Sequence, residues 1–148
     1  MPRFDHNECS VRCLQHAGDY TFEEAQAILA NFGRKHGRGT PWYIIERAYH
    51  KALRLSVHRR YIGKTVYKAL KGLPTTGTYI IGVRGHIFTY KDGDIKDWMQ
   101  NCSRAKIDHL WHVKGRKERG VDKAINAGLE LVGTSYKSKN RRLRKICE

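Results

Sequence analysis

The chain has 148 residues, and its 29 Lys and Arg against 14 Asp and Glu give a formal net charge of +15. Hydrophobic residues make up 40% of it, which is enough for one domain with a buried core and excludes a disordered chain. No apolar stretch approaches the roughly 18 residues of a membrane span, and residues 1–5 lack the apolar core of a signal peptide. We therefore expect a cytoplasmic protein without a membrane partner, whose charge predicts salt-sensitive association with nucleic acid.

The first predicted element carries the first candidate site residue. The spacing of Val11, Leu14 and Ala17 favours a helix that begins near Cys9. In the first turn of a helix, unpaired N–H groups and the macrodipole favour a thiolate. Cys9 is therefore a candidate nucleophile, and the plainer alternative is a small, buried, apolar-like residue.

The four cysteines stand at positions 9, 13, 102 and 147, and a cytosolic protein of this size keeps them reduced by default. With His6 and His16, the first two form a His-x2-Cys-x3-Cys-x2-His pattern that loosely suggests zinc. A continuous helix would spread these side chains rather than converge them. We expect neither metal nor cofactor, and a zinc-stabilised binding domain is kept as an alternative.

The second and third predicted helices follow. Thr21 and Glu24 form a capping box for a helix that ends at Gly33. Residues 33–39 form a basic, glycine-rich loop without the ending of a phosphate-binding loop, so it is either a rim of the site or a solvated connector. Thr40-Pro41 is interpreted as the cap and first-turn proline of the third helix.

The second half of the chain is predicted to be mostly strands. Residues 53–61, 78–83 and 107–113 have strand patterns, and Thr65 caps a short helix over 66–71. His109 and His112 lie on the last of these strands and point to opposite faces, so a joint role is not expected. Helices followed by a mostly antiparallel sheet predict an α+β fold.

A hairpin holds the most informative pattern. Asp92-Gly93 lies between two runs of strand-forming residues, which indicates a type I′ turn. The two-residue loop pairs Lys91 with Asp94, and it makes His86 and Asp97 diagonal neighbours on one face, within hydrogen-bonding reach. A carboxylate bonded to one ring nitrogen fixes the tautomer and frees the other nitrogen for proton transfer.

These motifs, in this order, resemble the papain-like cysteine peptidase superfamily, and more narrowly the small papain-like proteins encoded by bacteriophages. By analogy with modules of this size, the resemblance covers about residues 5 to 113. The residues that carry it are Asn7-Glu8-Cys9, Gly33-Arg34, Gly37-Arg38-Gly39-Thr40, Gly77-Thr78-Tyr79-Ile80, Val83-Arg84-Gly85-His86, and Asp92-Gly93 followed by Asp97.

The resemblance implies a papain-like fold over 1–113 and a catalytic triad. Cys9 matches the nucleophile, His86 the base and Asp97 the residue that orients it. Many papain-like enzymes place a Gln several residues before the cysteine to build the oxyanion hole, whereas this chain has Arg3 six residues before. Asn7, with the backbone N–H of Cys9, is the candidate for that role.

Residues 114–148 are predicted to be a separate basic segment. Residues 122–132 can form an amphipathic helix, and residues 136–145 are strongly basic. Such a block is either a solvated tail or a contact for nucleic acid and other anionic partners.

The predicted function is a thiol hydrolase that cleaves a peptide, isopeptide or related amide bond of a protein or peptide substrate. The alternative is a catalytically vestigial papain-like scaffold that serves as a basic nucleic-acid- or host-protein-binding module. Phage origin would place either one in the cytoplasm of the host cell.

Overall fold

The computed structural model describes residues 2–35, 38–97, 103–117 and 121–131, with side chains described from Glu8 onward. The fold is α+β, as predicted. The helices are α1 (Pro2–Gly18), α2 (Phe22–Asn31), α3 (Trp42–Ala52) and α4 (Val66–Gly72). The strands are β1 (Leu53–Val57), β2 (Thr78–Val83), β3 (His86–Lys91), β4 (Asp94–Lys96) and β5 (Ile107–Arg116). A further helix covers residues 121–131.

Helix α1 begins earlier than the sequence predicts. It starts at Pro2 rather than near Cys9, so Cys9 is the eighth of its 17 residues. Only the first four N–H groups of a helix lack an intrahelical partner. The predicted effect of a helix N-terminus on Cys9 is therefore wrong, and the N–H of Cys9 is committed to the helix.

The cap of α2 is confirmed, and the cap predicted for α3 is wrong. The Thr21 hydroxyl accepts from the Glu24 N–H at 3.0 Å, and the Glu24 carboxylate accepts from the Thr21 N–H at 2.9 Å. The N-cap of α3 is Pro41, with no side-chain hydrogen bond. The Thr40 hydroxyl has partners elsewhere, which are described with the site. Thr65 caps α4 as predicted, through the Lys68 N–H at 3.2 Å.

The five strands form one sheet in the order β1-β5-β2-β3-β4, and every neighbouring pair is antiparallel. In the β3–β4 hairpin, Lys91 pairs with Asp94, as predicted. Asp92 and Gly93 both have positive φ, 51° and 81°, which is the requirement of a type I′ turn. The hairpin therefore has the register that the Asp-Gly pair specifies.

The sheet has a core on each face. On one face, α1, α2 and α3 pack against a set of strand side chains that includes Leu53, Ile80, Ile87, Trp111 and Val113. On the other, the segment around α4 packs against Tyr79, Ile81, Phe88, Tyr90, Ile107 and Leu110. This alternation follows from the two-residue period of a strand. It places α1 and α4 on opposite faces.

The end of the described chain joins the first core. Strand β5 continues to Arg116, past the predicted boundary after residue 113. The helix of residues 121–131 buries Val121 and Ile125 in the core of α1, α2 and α3. It approaches α2 so closely that a Cβ at Gly128 would overlap the backbone of Ala27. Among the described residues, no helix is long and apolar enough to cross a membrane. The basic residues 136–145 lie outside the described ranges.

Candidate active site

A cleft of about 620 Å³ opens between the beginning of α3 and the turn that joins β2 to β3. Cys9 of α1 and His86 of β3 both line it. Cys9 is half-buried, so a molecule in the cleft can reach its sulfur. Two of the predicted site residues therefore share one accessible cavity, although 77 positions separate them in sequence.

The His86 side chain forms a hydrogen bond with Asp97. Nε2 of His86 lies 2.7 Å from Oδ2 of Asp97, and the two side chains are only 12% and 5% exposed. The contact has the diagonal geometry that the hairpin predicts, since Thr89 pairs with Lys96 and extending that register by one residue aligns Phe88 with Asp97. The structure thus brings Cys9, His86 and Asp97 together.

The electrostatics of His86 favour its charged form. Burial alone would lower its pKa, but the hydrogen bond to Asp97, the hydrogen bond to Cys9 and the charges of both partners outweigh burial and raise the pKa from 6.5 to about 9. The ring is therefore an imidazolium at neutral pH. Nε2 contacts Asp97, so Nδ1 is the ring nitrogen that this carboxylate leaves available.

The position of Cys9 depends on how α1 is held. The Tyr49 hydroxyl of α3 donates to the carbonyl oxygen of Ser10. On the next turn, the Thr89 hydroxyl of β3 donates to the carbonyl oxygen of Cys13 at 2.8 Å. Both bonds are buried and lie one and four residues after Cys9, so they fix this part of α1 against α3 and β3.

Cys13 differs sharply from Cys9. It is 1% exposed, and its sulfur lies 3.2 Å from Oγ1 of Thr89. Burial raises its pKa to about 12, although hydrogen bonds to Thr89 and Tyr49 act in the opposite direction. Cys13 is therefore an unreactive core thiol one turn away from the cleft.

A second polar cluster, which the sequence did not specify, lies beside Cys9. Oγ1 of Thr40 is 2.6 Å from Oγ of Ser10 and accepts from Nε of Arg34 at 3.0 Å. Arg34 is only 6% exposed, and Gly39 and Thr40 line the cleft. The glycine-rich loop therefore contributes to the rim of the site, and the hydroxyl interpreted as a helix cap instead joins that loop to α1. The sequence feature that could have indicated this contact is the pair Gly33-Arg34 and Gly39-Thr40, at the two ends of the loop.

The wall of the cleft is aromatic, and the sequence also missed this feature. The rings of Trp42 and His109 stack with centroids 3.8 Å apart and planes 14° from parallel. Both residues line the cleft with Ile45. Gly82 pairs with His109 across the sheet, and a Cβ there would stand 3.3 Å from the His109 Cβ. His109 faces α3 because of the way β5 pairs with β2, and no local sequence pattern shows that pairing.

Two earlier hypotheses depend on side chains that the structure does not describe. Asn7 belongs to α1, but its side chain lies outside the described part, so its role in the oxyanion hole stays a prediction. The same holds for His6 in the proposed zinc pattern. Among the described residues, no group of three or more His, Cys, Asp or Glu is arranged to hold a metal ion.

Comparison with known proteins gives no relative for this chain: no family model, no curated protein and no solved structure matches it.

Proposed function

We propose that the chain is a thiol hydrolase that cleaves a peptide, isopeptide or related amide bond, with Cys9 as the nucleophile. One observation carries the proposal: a single imidazole, that of His86, is bonded to the Cys9 side chain and to the buried Asp97 carboxylate in an open cleft. Nucleophilic catalysis by cysteine needs a thiolate, a proton donor for the leaving group and a residue that orients that donor.

The proposed reaction has two steps. The Cys9 thiolate attacks the substrate carbonyl, and the His86 imidazolium gives its proton to the leaving amine as the C–N bond breaks. Neutral His86 then takes a proton from water as the water oxygen attacks the thioester carbonyl. The C–S bond breaks to release the carboxylic acid and the Cys9 thiolate, and the proton stays on His86, which restores the starting thiolate–imidazolium pair. Asp97 holds the ring and stabilises its charged form throughout. A pKa of about 9 supports the first step, because the proton is present at neutral pH.

The oxyanion that forms on the carbonyl needs a donor. We propose Asn7 for this role because it is the side-chain amide nearest to Cys9 in sequence, and an amide can donate a hydrogen bond. The N–H of Cys9 is no longer available as the second donor, because it lies within α1.

The finer fold assignment rests on the same residues. We propose that the helices and the sheet correspond to a papain-like fold, in which the nucleophile comes from an N-terminal helix and the base and orienting residue come from adjacent strands. The order Cys9, His86, Asp97 on α1, β3 and the end of the β3–β4 hairpin supports this assignment. Kinship with phage-encoded proteins stands as a proposal from the quoted motifs alone.

Alkylation by iodoacetamide, followed at each cysteine by peptide mass spectrometry, tests the proposed function without knowledge of the substrate. We expect Cys9 to be labelled at neutral pH and faster than Cys102 or Cys147, while Cys13 is unlabelled in folded protein. His86→Ala should remove the advantage of Cys9.

Two controls sharpen this test. His16→Ala changes a histidine of α1 that does not line the cleft, so it should leave Cys9 labelling as in the wild type. Labelling in denaturant should reach all four cysteines and establishes that each peptide is detected. The hydrolase is refuted if Cys9 is alkylated no faster than Cys102, or if His86→Ala leaves the rate at Cys9 unchanged. The binding-only scaffold then takes its place.

A further inference from the structure

The basic charge of this chain is concentrated in one stretch of the folded part. Between Glu46 and Asp92 the sequence contains ten Lys or Arg and no Asp or Glu. This stretch includes α4, which packs on the face of the sheet opposite α1. It is distinct from the basic residues 136–145, and the hydrolase chemistry does not use it.

A second segment of the chain, which contacts the start of α4, adds the cations Arg104 and Lys106 to this stretch. Residues 103–107 run alongside the start of α4: the Val66 N–H donates to the Ala105 carbonyl and the Tyr67 N–H to the Ser103 carbonyl, both at 2.9 Å. Thr65 also forms an isolated bridge with Lys106. The resulting surface, here called the α4 surface, presents seven exposed cations: Arg59, Arg60, Lys64, Lys68, Lys71, Arg104 and Lys106.

These seven charges have no carboxylate partners in the described part of the chain. None of the ion pairs found there involves any of them. The nearest acidic residue in sequence is Asp108, which lines the cleft. Like charges on one surface repel each other, and an extended polyanion bound there would neutralise them. The counterions that such a polyanion releases on binding favour the complex further.

The α4 surface also carries exposed apolar groups. Tyr67 is 56% exposed and Ile62 is 39% exposed. Nζ of Lys71 lies 4.4 Å from the centre of the Tyr67 ring, so the ring stands beside the cations. Cations that follow a phosphate backbone, together with an exposed ring on which a base can stack, are the combination by which proteins hold single strands.

We propose that the α4 surface binds single-stranded nucleic acid, with its cations against the phosphates and the Tyr67 ring against a base. The binding is largely independent of sequence, because stacking and phosphate contacts do not read base edges. It requires neither Cys9 nor the cleft, so it stands or falls separately from the hydrolase.

Fluorescence anisotropy of the full chain with labelled oligothymidylate and oligouridylate, over a salt series, tests the electrostatic part. The test variant replaces Arg59, Lys64, Lys68 and Lys106 with Gln. The control replaces Arg47, Lys51, Lys114 and Lys123, which are equally exposed, and both keep residues 132–148 unchanged. Each lost phosphate contact lowers the slope of log affinity against log salt by about 0.7. We expect a slope smaller by about 3 in the test variant alone.

Tyr67 tests the stacking part. Tyr67→Ala should lower the affinity for both oligonucleotides about fivefold or more. The affinity for heparin, a polyanion without bases, should not change. Tyr67→Phe should retain binding, and Tyr43→Ala, a change at a ring 62% exposed on α3, should have no effect. A preference for uridylate or thymidylate would assign the strand as RNA or DNA.

Three results would overturn the proposal. Equal losses in the two charge variants would place the binding outside the α4 surface. Tyr67→Ala without effect would reduce the surface to a general polyanion contact. Tighter binding to a duplex of the same length would exclude the single strand as its ligand.

Discussion

Nε2 of His86 and Oδ2 of Asp97 lie 2.7 Å apart. The two residues are eleven positions apart in sequence, and the two-residue turn of the β3–β4 hairpin brings them together. The His86 ring is also hydrogen-bonded to Cys9.

Asp97→Asn keeps the shape of the side chain and removes its charge. We expect the pKa of His86 to fall from about 9 toward its usual 6.5, because the hydrogen bond to a carboxylate and its charge are major causes of the rise. An NMR titration of the His86 ring measures this directly. Cys9 alkylation at neutral pH should slow in parallel.

Asp94→Asn is the matched control on the same hairpin. Its carboxylate is exposed and pairs with Lys96 at 3.3 Å, so neither the His86 titration nor Cys9 labelling should change. An Asp97→Asn protein whose His86 still titrates near 9 would show that Asp97 does not set the charge of the ring.

The stability of the protein should depend on the protonation of His86. The folded-state pKa of about 9 lies above the usual 6.5, so the contribution is complete below pH 6.5 and is lost as pH rises through about 9. A shift of this size corresponds to on the order of 3 kcal/mol. Urea unfolding of the wild type and His86→Gln between pH 6 and about pH 10 should show a stability difference that shrinks across this window. A difference that stays constant with pH would contradict it.

Thr40→Val should weaken the rim of the cleft. The change removes the hydroxyl that accepts from buried Arg34 and contacts Ser10, and a hydrogen bond to a charged group contributes about 1.5–3 kcal/mol. We expect a loss of this size in the free energy of unfolding by urea, with slower Cys9 labelling. Thr76→Val, at an exposed position, should change neither. Unaltered stability in Thr40→Val would mean that solvent replaces the lost contacts.

Trp42→Ala should affect large reagents more than small ones. The indole forms part of the cleft wall and stacks on His109, so its removal should slow Cys9 alkylation by a peptidyl chloromethyl ketone with an apolar side chain. Iodoacetamide does not need that wall, and its rate should stay within about twofold of wild type. Tyr43→Ala is the neighbouring control. Equal slowing with both reagents would indicate damage to the Cys9–His86 pair instead.

Local rules in the sequence determined much of the fold. The side-chain caps of α2 and α4, the strand patterns and the Asp92-Gly93 turn depend on residues a few positions apart, so α2, α4, β2 and the hairpin register were predictable. The diagonal relation of His86 and Asp97 followed from that register. The beginning of α1 was missed because its polar first residues carry no apolar periodicity.

Only the tertiary structure decided how the pieces meet. Cys9 reaches His86 because α1 is bonded to β3 through Cys13 and Thr89, 76 positions apart, and no local pattern encodes that separation. Thr40 could satisfy its hydroxyl by capping α3, but burial of Arg34 beside it requires an acceptor there, so the tertiary contact prevails. The sequence by itself determined which residues could carry the chemistry and how the hairpin presents two of them. Packing of the helices on the sheet decided that the third stands within reach, because burial of apolar faces fixes elements that are distant in the chain.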